Sequence, residues 1–75
     1  MTQTHIRTLQ PSSSTLATLD AMALLASQTA SVIHVVVPRE PGVVNNARRL
    51  ARQADVELCV DLLPRTARVR FDGQP

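Results

Sequence analysis

Seventy-five residues make one small domain at most, because a single hydrophobic core ordinarily serves about 100 to 150 residues; a two-domain enzyme is excluded. The chain is 44% hydrophobic and 19% charged, which is globular rather than disordered, and with one aromatic, Phe71, its core must be aliphatic. Eight basic residues, all arginine, against six acids leave a charge of +2 at pH 7, too little to draw the whole chain to nucleic acid or anionic lipid without local clustering.

In chain order, Met1 to Gln10 has no apolar h-region, so no secretory signal is expected there. Thr4 to Leu9 is read as a short strand around Ile6. Residues 10–15 are a turn, in which Pro11 precedes the candidate N-caps Ser12, Ser13, Ser14 and Thr15. Leu16 to Gln28 is predicted helical, being rich in Ala and Leu and free of Gly and Pro. Leu16, Leu19, Ala23 and Ala26 form one stripe, and Met22 and Leu25 widen it. A helix apolar nearly all round wants cover on more than one side, which in so short a chain points to a partner or a second copy.

Ser31 to Val37 is a strand of almost continuous β-branched residues, a pattern that predicts burial on both faces. His34 interrupts it on the face of Val32 and Val36, where a packed or edge-facing structural role is expected. Pro38 and Pro41-Gly42 turn the chain into the amphipathic helix Val43 to Ala54. Val43, Ala47, Leu50 and Ala54 should dock, while Asn45, Asn46, Arg48, Arg49, Arg52 and Gln53 stay wet. Val56 to Leu62 alternates as a half-buried strand, and Leu63, Pro64 and Arg65 connect it to a last strand carrying Ala67, Val69 and Phe71. A turn centred on Pro64 and Arg65 sets Asp61 opposite Arg68 and Cys59 opposite Arg70. Residues 73–75 are a tail. The reading is therefore one α+β domain over 1–75, a two-layer α/β sandwich of order β-α-β-α-β-β, with a mixed four-stranded sheet and two helices on one face.

No convergent catalytic set, cofactor cradle or metal-ligand spacing stands out. Two separated His and one Cys give no metal spacing, and two glycines are too few for a phosphate loop. Ser12 to Thr15 read as caps rather than nucleophiles. Arg39, beside a helix start, is a candidate anion contact, and Pro41-Gly42-Val43 a candidate small-ligand turn. Cys59 cannot form an intramolecular disulfide, which favours a reducing compartment, and with Glu57 and Asp61 flanking it against Arg70 an unreactive thiol is expected. Arg48, Arg49 and Arg52 on one helix offer possible phosphate contacts, without aromatics for base stacking. The longest apolar stretch, Leu16 to Ala26, is shorter than the about 20 residues a bilayer span needs, so a cytoplasmic chain with no membrane role is expected.

Through Val32 to Val37, the turn Arg39-Glu40-Pro41, the helix Val43 to Ala54 and the closing Val69-Arg70-Phe71, the chain resembles the bacterial sulfur-carrier family. That resemblance implies a two-layer α/β scaffold and docking onto partner proteins. The family's reactive Cys opens the first helix in a Cys-Pro pair, and here that place reads Pro11-Ser12-Ser13-Ser14-Thr15, so its persulfide chemistry is not carried over. The stretch Val37 to Val44 also resembles the Pro-Gly turn of ligand-binding ACT modules. The expected function is a non-enzymatic module that binds protein, itself included, through Leu16, Leu19, Met22, Ala23 and Ala26. Nucleic-acid contact through Arg48, Arg49 and Arg52 is the alternative.

Overall fold

The computed structural model describes residues 11–75. Among them the elements run α1 (Ser13–Thr29), β1 (Val32–Pro38), α2 (Val43–Ala54), β2 (Glu57–Leu62) and β3 (Thr66–Asp72). The expected strand Thr4 to Leu9 lies outside the described residues. Of the expected mixed four-stranded sheet, the described residues show three strands, ordered β1-β3-β2 and antiparallel at both joins.

Helix α1 starts three residues before the predicted Leu16 because Ser12 takes the cap: it holds an extended backbone and its Oγ accepts from the Thr15 N–H. At the other end Ala30 adopts the left-handed conformation with φ 50°, and its N–H reaches back to the Ala26 and Ser27 carbonyls. Helix α2 occupies the predicted residues. Gly42, at φ 84°, turns the chain into it. Asp55, at φ 60°, turns the chain out toward β2.

Both helices lie on one sheet face, α1 across β1 and β3 and α2 across β2 and β3. The core between the layers joins Leu19, Ala23 and Ala26 of α1 to Ala47 and Leu50 of α2 and to Ala67, Val69 and Phe71 of the central strand. Small side chains on the helices let them settle close over Phe71, which is fully buried. The continuous apolar run of β1 does not mean burial on two faces: Val36 is 59% exposed, because no described element covers the second face of the sheet. A run of β-branched residues satisfies strand geometry whether or not its second face is covered.

Three long-range ties gather at one end of the molecule. The Ser12 N–H donates to Glu40 Oε1 (2.8 Å), the Arg39 N–H to the Arg65 carbonyl (3.0 Å) and Arg39 Nη1 to the Leu63 carbonyl (3.0 Å). The β1–α2 turn thus holds both the start of α1 and the β2–β3 hairpin.

Candidate functional site

The residues expected to meet a partner divide. Leu19, Ala23 and Ala26 are consumed by the chain's own core, each 1% exposed or less, so they are corrected from partner contacts to packing residues. Leu16 and Met22 are half-buried at its margin. The outward side of α1 instead carries Ala17, Ala21, Leu24 and Leu25, the two leucines 46% and 40% exposed. A helix apolar all round buries one stripe and must leave another in water.

Arg48, Arg49 and Arg52 are exposed on α2, but they are not equivalent. Arg49 Nη2 donates to Asn46 Oδ1 at 2.7 Å, whereas Arg48 Nη1 makes only a 3.5 Å contact with Asn45 Oδ1. Asn46 itself, expected on the wet face, is buried: its Nδ2 donates to the Gly42 carbonyl at 2.8 Å, so both ends of its amide are used. The signal was present in its spacing, since Asn46 shares a stripe with Val43 and Leu50.

At the β1–α2 turn, Arg39 and Glu40 border a depression of about 140 Å³, with Gly42, Val43 and Asn45 nearby. Its polar groups are engaged within the chain, Arg39 with the hairpin carbonyls and Glu40 with Ser12. Val43 is buried beneath it.

On the open sheet face the register aligns His34, Arg70 and Cys59 across the three strands, and beside them Val36, Arg68 and Asp61. His34 and Cys59 are both exposed. The cross-strand partners Asp61 with Arg68 and Cys59 with Arg70 are those the charge pattern predicts.

One feature was not legible in the sequence. Between α2 and the outer edge of β2 runs a groove of about 450 Å³, lined by Val44, Arg48, Leu58, Val60 and Leu62. Its floor consists of the alternating residues expected to be buried beneath the helices. They are only half covered, and Leu62 is 46% exposed, because β2 lies at the end of the three described strands and not between two of them. Among the described residues no group of three or more His, Cys, Asp or Glu side chains gathers as a metal site, and no helix is long and apolar enough to cross a membrane. Comparison with protein-family models, with curated proteins and with solved structures finds no match to the chain.

Proposed function

We propose that the chain is a non-enzymatic α/β module that works by binding protein, beginning with a second copy of itself through the outward side of α1. The observation that carries this reading is the exposure of Leu24 and Leu25 on the same helix side as exposed Ala17 and Ala21. Two such helices packed antiparallel set the leucines of one over the alanines of the other. Side-chain size alternates across the contact, and Ala allows close helix approach. The scaffold likeness to sulfur carriers belongs to the same proposal as a likeness in docking habit, without persulfide transfer, because the single thiol sits on β2.

The test is native mass spectrometry and light scattering across a concentration series, on the parent chain and on Leu24→Glu. The reading expects a dimer that Leu24→Glu returns to monomer; a chain that stays monomeric at high concentration refutes it. Exposed Arg48 and Arg52 support a second reading, contact with nucleic-acid phosphates. A gel mobility shift that weakens steeply with salt would support it, and no shift at low salt removes it.

A further inference from the structure

The hydrogen-bonding groups along the outer edge of β2 follow from the hairpin. The Leu63 N–H donates to the Thr66 carbonyl at 2.9 Å, so that pair is a hydrogen-bonded one. Alternation along an antiparallel ladder then turns the N–H and C=O groups of Asp61, Cys59 and Glu57 toward β3, and those of Leu62, Val60 and Leu58 outward. No described strand pairs with that edge. The side chains of the same three residues floor the groove beside α2, whose other wall is Val44 and Arg48. Open backbone groups, an apolar floor and a cation thus share one site, and no carboxylate lines the groove. On the opposite face of β2 the charges reverse, with exposed Glu57 and Asp61 on either side of Cys59.

We propose that the β2 edge and the α2 groove form a docking site for an extended segment of another protein, which adds as a strand beside β2. Its groove-facing side is apolar with a carboxylate placed for Arg48, and its other side carries Lys or Arg opposite Glu57 and Asp61. Backbone pairing along an open edge supplies affinity in such complexes, and alternate side chains supply selectivity. The charge pattern disfavours the nearer occupants. The sequence of residues 1–10 offers no Asp or Glu as a counter-ion for Arg48. A second copy pairing β2 to β2 antiparallel must keep apolar sides together, which leaves two central registers. Centring on Cys59 sets Glu57 against Asp61 of the second copy, and centring on Val60 brings Arg48 of each copy together across the axis. Like charges meet in both.

The experiment is a titration of the isotope-labelled full chain with the end-blocked peptide Val-Lys-Glu-Thr-Val-Lys, followed by amide NMR. When this peptide lies antiparallel to β2 its Glu falls beside Val60 and Arg48. Shifts should concentrate in Glu57 to Leu63 and Val44 to Arg52, and the amides of Leu58, Val60 and Leu62 should exchange more slowly. Replacing the peptide's Glu by Gln, or Arg48→Gln in the protein, should each weaken binding about tenfold, as expected for loss of a charge-assisted hydrogen bond. Equal binding of the Glu and Gln peptides, shifts confined to other surfaces, or no shifts at millimolar peptide overturns the proposal. So do concentration-dependent shifts along β2 without peptide, which would make a second copy the occupant. Dimerisation through α1 is read separately, on free protein with Leu24→Glu, so either proposal can fail alone.

Discussion

Gly73 is the position where one added methyl group should do most damage. A Cβ built there overlaps the Ala26 carbonyl oxygen and lies 2.6 Å from its carbon and 3.1 Å from the Ser27 nitrogen. Non-bonded carbons settle at about 3.5 to 4.0 Å, so the two segments must part by about 1 Å. Neither can give cheaply, because the obstructing atoms are helix backbone and the Ala26 carbonyl already accepts the Ser31 N–H at 3.1 Å. The Gly73 N–H also donates to the Ser31 carbonyl at 2.9 Å, a bond that parting would stretch or break. Overpacking costs about 1 to 3 kcal/mol and a lost hydrogen bond about 1 kcal/mol. We expect Gly73→Ala to cost about 3 kcal/mol, against a total stability for a domain of this size of roughly 4 to 11 kcal/mol. That lowers Tm by about 12 to 24 °C. Thermal unfolding by circular dichroism measures it, with a chain ending at Asp72 as the control. The truncation loses the Gly73 hydrogen bond without the clash and should cost only about 1 kcal/mol. If Gly73→Ala melts within about 3 °C of the parent, less than the shift from about 1 kcal/mol, the tail swings aside freely and the reasoning is refuted.

Ala30 holds a left-handed conformation that costs an L-residue about 1 kcal/mol, so Ala30→Gly should raise the urea midpoint by the equivalent of about 0.5 kcal/mol after the added freedom of the unfolded chain is subtracted. A lower midpoint would show that the Ala30 methyl group packs usefully. Asn46→Ala removes the amide that joins the Gly42 carbonyl to Arg49 and should destabilise by about 1 to 2 kcal/mol; an unchanged denaturation curve would show the amide to be dispensable. Cys59→Ser, at an exposed position, should leave both stability and peptide binding unchanged. Loss of binding in that variant would give the thiol a role at the β2 edge.

What was readable in advance was whatever a single period could encode. Helix α2 has an apolar stripe and an arginine-rich back, and its predicted bounds match. The hairpin register followed from alternation and from Asp61 facing Arg68. Strand neighbours are another matter, because alternation in Val56 to Leu62 states that one face is buried but not that the strand ends the sheet. The groove above Leu58 and Val60 therefore had no sequence signal of its own. In α1 the periodic signal is nearly flat, so the choice of Leu19, Ala23 and Ala26 for the core and Leu24 for the surface is made by the sheet and α2. Asn46 reads as wet from its polarity alone, but a satisfied amide can occupy a stripe that geometry buries.

The order β1-β3-β2 places β3, the latest of the described strands, between the other two. During synthesis, β1 and β2 can emerge together with both helices and still find no partner in each other, since among the described strands each pairs with β3. Val69 and Phe71, the large side chains that seat the helices, arrive on that same strand. Folding of this sheet is therefore deferred until residues as late as Asp72 have left the ribosomal tunnel. Until then β1 and β2 lack the described strand that pairs with them, and unpaired strand edges are open to pairing with neighbouring chains. A nascent chain stalled before Thr66 should remain open to protease throughout, and one released after Asp72 should close in a single step.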